Sequence, residues 1–140
     1  MPASGIGDVL EKAHQLLKPS GVILDIHPRP RASKVEIRIP GHFINIGHLD
    51  EAGLIRRVND ARREIASMIW DGFFGYHDIK IFDFLYHFDS VDECIEFLGR
   101  EWDDSTMDGP IVDKARELLA NKRGEIIIRQ PLWAATLKRL

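Results

Sequence analysis

Residues 9–26 read VLEKAHQLLKPSGVILDI, and this stretch decides the fold. Its first half carries apolar residues at helical spacing, and with Ile6 they predict a helix that stops at Pro19. The Ser-Gly pair that follows favours a turn. Val22–Ile26 is a short, mostly apolar run, which is typical of a strand buried on both faces of a sheet. The stretch therefore predicts a helix–turn–strand unit near the beginning of the chain.

Length and composition restrict the class of protein. The chain has 140 residues, of which 44% are hydrophobic and 29% charged, so it has the size and composition of one globular domain. A formal net charge of −3 gives no overall support to a nucleic-acid or membrane-surface role. With Cys94 as the single cysteine no internal disulfide forms, and a reducing compartment is expected. Because no apolar run spans a bilayer and residues 1–5 lack a signal-peptide pattern, we expect a soluble cytoplasmic protein.

Periodicity predicts the remaining elements. Pro40-Gly41 separates two alternating runs and indicates a β-hairpin. Ser90 and Glu93 have the spacing of a capping box, which predicts the start of a helix. Pro131 is expected to interrupt the last strand, because proline lacks the ladder donor. After Ile26 the predicted order is strands Lys34–Ile39 and His42–Ile46, a helix over Leu54–Ile69, a strand over Asp78–Phe88, helices over Val91–Leu98 and Pro110–Leu119, and a strand over Glu125–Leu137.

Three segments resemble class I S-adenosylmethionine-dependent methyltransferases. LKPSG at Leu17–Gly21 is similar to the LKPGG-like turn that leads into the fifth strand of that family's sheet. FDSVDECIEFL at Phe88–Leu98 resembles the segment after the sixth strand, and IIIRQPLWAATLKRL at residues 126–140 resembles the seventh. The resemblance implies an α/β (α+β) fold, with a mixed sheet like that of the C-terminal half of the methyltransferase Rossmann-like fold and the β-hairpin in addition.

The resemblance also implies what this chain lacks. Residues 1–140 would form a single methyltransferase-like domain without the N-terminal half, whose glycine-rich loop and acidic residue bind the cofactor. Gly5-Ile6-Gly7 has glycines, but no strand fits before it. We therefore expect no cofactor-binding and no catalytic residues in the isolated chain. S-adenosylmethionine would bind only if a further segment or a second chain supplied the cofactor half.

In that fold Glu125–Leu137 lies between Val22–Ile26 and Asp78–Phe88, antiparallel to both, and the absent strand leaves one edge of Val22–Ile26 open. Open edges and apolar faces favour assembly. The Lys34–Ile46 hairpin could fold over the edge, two copies could form a homodimer, or a partner chain could supply the cofactor half. The homodimer is the expected arrangement because it alone needs no other partner. Neither nucleic acid nor a membrane is an expected partner.

Three functions remain open at this point. The first is a non-catalytic, self-associating methyltransferase-like domain, which is the one we expect. The second is an S-adenosylmethionine-dependent methyltransferase completed by another segment or chain. The third is a small-molecule binding module that uses an aromatic pocket and the loop at residues 25–31.

The candidate substrate-binding residues are Asp25, His27, Arg29 and Arg31. They follow the first strand, and ligands of open α/β sheets bind beyond the carboxyl ends of strands. Asp25 in an apolar strand could act as an acid or a base. The simpler interpretation is a strand-terminating loop in which this carboxylate pairs with a local amide or an arginine.

Other groups have plainer interpretations. The histidines do not fall at metal-ligand spacing, so no metal site is expected. Cys94 lies on an apolar helical face and is predicted to be a buried structural thiol. Arginines 56, 57, 62 and 63 are interleaved with acids, which is typical of a solvated helix face, with a phosphate-binding or nucleic-acid-binding surface as the alternative. Aromatic residues are predicted to form core and interface, or else to line an apolar pocket; they are Trp70, Phe73, Phe74, Tyr76, Phe82, Phe84, Tyr86 and Phe88.

Overall fold

The computed structural model describes residues 4–120 and 123–140. In this part of the chain the elements are, in order, α1 (Ser4–Leu16), β1 (Val22–Pro28), β2 (Lys34–Ile39), β3 (His42–His48), α2 (Ala52–Trp70), β4 (Phe74–Phe88), α3 (Val91–Glu101), α4 (Gly109–Leu119) and β5 (Glu125–Arg139). No helix in the described ranges combines the length and the apolar character needed to cross a bilayer.

Strand β5 organises the sheet. The strands pair in the order β1-β5-β2-β3, and β4 also pairs with β5. Strand β1 pairs with the C-terminal half of β5, with Asp25 opposite Ala135 and His27 opposite Trp133. Strand β2 pairs with the N-terminal half of β5, with Lys34 opposite Arg129. The predicted position of the last strand between the first strand and β4 is therefore confirmed.

The α+β class and the hairpin of β2 and β3 are also confirmed, but the mixed sheet is wrong. The sheet is antiparallel, since each strand beside β5 runs opposite to it and the described strands contain no parallel pair. The expected break at Pro131 is also wrong, because β5 continues to Arg139. Neither β1 nor β2 pairs with residues 130–131, so a proline there removes no hydrogen bond to them.

The helix starts follow local chemistry. The amide N–H of Glu93 donates to the Ser90 hydroxyl at 3.1 Å, which confirms the predicted cap of α3. The Glu93 carboxylate accepts from the amide of Asp89 rather than that of the cap residue. Asp108 caps α4 by accepting from the Ile111 amide at 3.1 Å, with a proline in the first turn.

The chain divides into two compact units. Unit 1 comprises Met1–Pro30, Ile55–Phe82 and Leu132–Leu140, and its buried core consists of Leu10, Ile65, Phe74 and Leu137. Unit 2 comprises Arg31–Leu54 and Asp83–Pro131. Its larger core contains Val35, Ile37, Leu49, Phe88, Val91, Cys94, Leu98, Ala115, Ile126 and Ile128.

Unit 2 also buries a carboxylate. Glu51 is 2% exposed, and it accepts from the Ser33 amide at 2.6 Å and from the Ser105 hydroxyl at 2.5 Å. Both oxygens therefore have a donor, as a buried carboxylate requires. This residue joins the segment before β2 to the loop after α3, which indicates a structural role.

Candidate functional site

The strongest candidate site is a cleft in unit 1, with a volume of about 390 Å³. It lies between residues of α2 and residues of the sheet. The lining residues, which define the cleft below, are His27, Pro30, Asn59, Arg62, Arg63, Ala66, Tyr76 and Trp133.

Three rings form the sheet side of the cleft. His27 and Trp133 stand opposite each other in the β1–β5 register, so their side chains share one face of the sheet. Their rings stack with centroids 6.1 Å apart and planes 27° apart. Tyr76 of β4 meets the indole edge-on, with centroids 6.2 Å apart. The three strands thus present a continuous aromatic surface.

The helix side is basic. Residues 59, 62, 63 and 66 of α2 have i, i+3, i+4 and i+7 spacing, which places them on one helical face. The Arg62 guanidinium lies over the Trp133 ring, 5.1 Å from its centroid. Arg63 is exposed and donates to the Asp60 carboxylate at 3.0 Å. The helix therefore brings the Arg62 guanidinium onto the aromatic surface, and Arg63 lines the same cleft.

An acid–imidazole pair lies at the strand end of the cleft. Asp25 and His27 are two residues apart on β1 and so point to the same face. The His27 Nδ1 atom lies 3.1 Å from Asp25 Oδ1, and the two side chains are 19% and 18% exposed. An ionised carboxylate only accepts, so the Nδ1–H group of the imidazole is the donor of this hydrogen bond. The carboxylate thus orients the imidazole.

Unit 1 holds every buried side-chain polar atom that lacks a hydrogen-bond partner in the described residues. These atoms are Asp25 Oδ2, His27 Nε2, Glu64 Oε2 and Trp133 Nε1. Each such group costs about 1–3 kcal/mol of stability, and native proteins keep few of them. Two of the four belong to rings that line the cleft. The unmet hydrogen-bonding capacity is therefore concentrated at the candidate site.

The electrostatics of the cleft act on Tyr76. Burial raises the pKa of its phenol above the ordinary 10.0, the negative charge of Asp25 raises it further, and the Arg62 guanidinium lowers it. The phenol is consequently neutral at pH 7, and its hydroxyl can both donate and accept a hydrogen bond.

The structure brings together only part of the predicted substrate-binding set. Asp25 and His27 form the pair described above, and His27 lines the cleft. Arg29 is half-buried and does not line it, while Arg31 is exposed and belongs to unit 2. The basic groups of the cleft come instead from α2, whose arginines the sequence indicated as a solvated face.

Trp133 was not predicted either, because its position opposite His27 depends on a strand register that the sequence does not reveal. The i, i+3, i+4 spacing of Asn59, Arg62 and Arg63 is the one signal that could have indicated the helix side. This spacing indicates a binding surface only when the aromatic residues that this face of α2 packs against are known.

The other aromatic residues divide between core and surface. Phe74 and Phe88 are buried, as predicted for core residues. Trp70 is 90% exposed at the end of α2, and Phe82 and Phe84 are also exposed, so a core position for these three is wrong. Cys94 is buried, as predicted, and burial raises the pKa of its thiol to about 12, so it is no nucleophile.

The part of the chain that the structure describes was compared with the requirements of a metal site and of a nucleotide-binding loop. Within residues 4–120 and 123–140 no three His, Cys, Asp or Glu side chains could hold a metal ion. Gly5 and Gly7 lie inside α1, so they do not form a loop between a strand and a helix. The residues present therefore do not fit the nucleotide cradle of a methyltransferase.

Comparison of the chain with protein-family models, with curated proteins and with solved structures gives no match.

Proposed function

We propose that unit 1 is a small-molecule binding module whose cleft takes an anion carried on a planar ring, such as an aryl carboxylate or an aryl phosphate. The main support for this proposal is the position of the Arg62 guanidinium over the Trp133 ring, in a cleft that Arg63 and the rings of His27 and Tyr76 also line. Planar rings stack on aromatic side chains, and guanidinium groups bind carboxylate and phosphate through paired hydrogen bonds.

The charges around the cleft favour an anion. Arg62 and Arg63 line it, whereas Asp25, which accepts from His27, is not among the lining residues. The Arg63–Asp60 ion pair is exposed on both sides, and such pairs contribute only about 0.2–1 kcal/mol. A ligand carboxylate or phosphate can therefore replace Asp60 at Arg63 at little cost.

The size of the cleft restricts the ligand to a small one. Its volume of about 390 Å³ is near the lower end of the roughly 300–1,000 Å³ of ligand pockets. One ring with one acidic group suits this volume. The neutral Tyr76 hydroxyl offers a further hydrogen bond to a polar substituent.

The geometry supports binding rather than proton transfer. His27 is oriented by Asp25 as a general base would be, but its free Nε2 atom is closed to solvent. A general base must come within hydrogen-bond reach of the proton that it removes. This histidine therefore serves as part of the aromatic surface.

Titration calorimetry with four probes tests the proposal. Benzoate and phenyl phosphate carry both ring and charge, benzamide carries the ring alone, and inorganic phosphate the charge alone. We expect the two aryl anions to bind with a Kd of about 1 mM or tighter, and the other two at least about tenfold more weakly.

Two arginine variants provide the matched comparison. Arg62→Gln should weaken phenyl phosphate binding by about 10–100-fold, because a hydrogen bond to a charged group contributes about 1.5–3 kcal/mol. Arg56→Gln lies on the same helix outside the cleft and should bind as the wild type does. Equal binding of benzamide and benzoate, or equal losses in the two variants, would show that the cleft is not an anion site.

A methyltransferase function remains the second candidate. The pairing of β5 with both β1 and β4 supports it, because the resemblance implies that arrangement. In this interpretation the chain is a methyltransferase-like domain that lacks the cofactor half, and it is either non-catalytic or completed by a further segment. The isolated chain should therefore give no binding heat with S-adenosylmethionine. Micromolar binding by this chain alone would contradict the non-catalytic interpretation.

A further inference from the structure

Strand β1 exposes an apolar face of unit 1 on the side away from the cleft. Val22, Leu24 and Ile26 are 53%, 66% and 54% exposed, whereas the alternating residues Ile23 and Asp25 are half-buried. Single exposed apolar residues are common, but three successive ones on one face of a strand form a continuous apolar row.

The same strand also has an open edge. In the described sheet β1 pairs with β5 alone, and it is the terminal strand in the order of pairing. The hairpin that was one candidate to cover this edge pairs with β5 through β2 instead. An edge strand with an apolar row is a template for another strand.

We propose that a second copy of the chain pairs antiparallel with β1, with Leu24 opposite its own counterpart. In this register Val22 stands opposite Ile26 of the other copy, so each cross-strand pair in the row is apolar. The sheet of unit 1 then continues from one copy into the next, which is a two-fold, isologous interface.

The charge of Asp25 disfavours a neighbouring register of the same pairing. A shift that centred the pairing on Asp25 would oppose two carboxylates, and like charges directly opposite each other destabilise a sheet. Centring on Leu24 places Ile23 opposite the aspartate instead. Pro28 ends the paired segment, since proline donates no ladder hydrogen bond. The strand is therefore its own complement over Val22–Ile26.

The length of the ladder fixes the strength of the dimer. Only Val22–Ile26 pair, and each cross-strand side-chain pair contributes about 0.2–1 kcal/mol. Stable interfaces bury about 1,200 Å² or more, which a single short strand does not reach. We expect a reversible dimer that forms at about 10–1,000 µM.

Cysteine cross-linking distinguishes this register from other dimers. A residue on the two-fold axis faces itself, so Leu24→Cys should form an intermolecular disulfide under mild oxidation. Its two Cα atoms would lie about 4.5–5.5 Å apart, within the range for a disulfide. Ile26→Cys is similarly exposed but faces Val22, about 13 Å along the strand from its own counterpart. It should cross-link at least about tenfold less. Cys94 is buried and stays out of the reaction.

Sedimentation at increasing concentration supplies the second measurement. The wild type should show a growing dimer fraction, and Leu24→Lys should remain monomeric. Leu16→Lys, at a residue 79% exposed on α1, is the control and should dimerise as the wild type does. Because both leucines are exposed, circular dichroism should show folded variants.

Two results would contradict this dimer. Equal cross-linking at residues 24 and 26 would overturn the register, and a monomeric wild type at 1,000 µM (about the upper limit expected for so short a ladder) would overturn the dimer. The proposal does not depend on the anion cleft, which lies on the opposite face of β1, and Arg62→Gln should leave the sedimentation unchanged.

Discussion

Replacing Trp133 by phenylalanine should show whether the unpaired indole N–H of the cleft lowers the free energy of unfolding. The substitution keeps a ring between His27 and Arg62 and removes the buried, unpaired Nε1–H donor. A site evolved for binding commonly keeps such groups at the expense of stability. The two effects of the substitution therefore oppose each other.

The structure sets the size of each effect. Trp133 is half-buried, and phenylalanine keeps most of its contacts, so the substitution loses about 1–2 kcal/mol rather than the roughly 3–5 kcal/mol of truncating a buried tryptophan to alanine. Removing an unpaired buried donor returns about 1–3 kcal/mol. The free energy of unfolding of Trp133→Phe should consequently lie between about 1 kcal/mol below and about 2 kcal/mol above that of the wild type.

Trp102 of unit 2 provides the control, because its ring packs on Tyr86 at 4.7 Å and on Phe97 at 5.5 Å without a buried unpaired donor. Trp102→Phe should show the full loss of about 1–2 kcal/mol. Urea denaturation followed by circular dichroism measures both variants. If Trp133→Phe is the more destabilised of the two, the indole N–H of Trp133 has a hydrogen-bond partner in solution and its removal relieves no penalty.

Three further predictions concern individual groups. In the Tyr86→Phe background, ultraviolet titration should find the pKa of Tyr76 above 10.0, and Asp25→Asn should lower it, because the carboxylate charge helps to raise it; an unchanged pKa would place Asp25 out of range. Cys94 favours the neutral thiol in the folded state, so its contribution to stability is complete below pH 9.0 and is lost as the pH rises toward about 12; the stability of Cys94→Ala should fall less steeply over this range, and parallel curves would contradict the assignment. Glu51→Ala should cost about 2–6 kcal/mol, because it leaves two buried donors unpaired; a loss below 1 kcal/mol in urea denaturation (less than one unpaired donor costs) would show that water replaces the carboxylate.

Short-range patterns predicted most of the fold. Alternation predicted the hairpin, helical spacing predicted the four helices, and the Ser90–Glu93 spacing predicted the start of α3. These signals depend on residues that are close in sequence, so contacts with distant parts of the chain do not alter them. Long-range features were harder: the continuation of β5 through Pro131 depends on which residues stand opposite it, and those belong to segments far away in sequence.

The candidate site was predicted in part for the same reason. Asp25 and His27 are two residues apart, so their pairing follows from strand geometry alone. Trp133 and Arg62 reach His27 through the β1–β5 register and through the packing of α2 on the sheet, and the sequence contains neither. Arg29 and Arg31 follow the strand end directly, but sequence proximity did not place them in the cleft.

The measurement that bears most directly on the anion cleft is the indole N–H spectrum of the protein during titration with phenyl phosphate. The chain has three tryptophans, so three indole signals are expected, and Trp133→Phe identifies one of them. We expect the Trp133 signal to move with a saturating dependence on ligand concentration, while the signals of Trp70 and Trp102 stay in place. A stationary Trp133 signal, or equal movement of all three, would contradict this expectation.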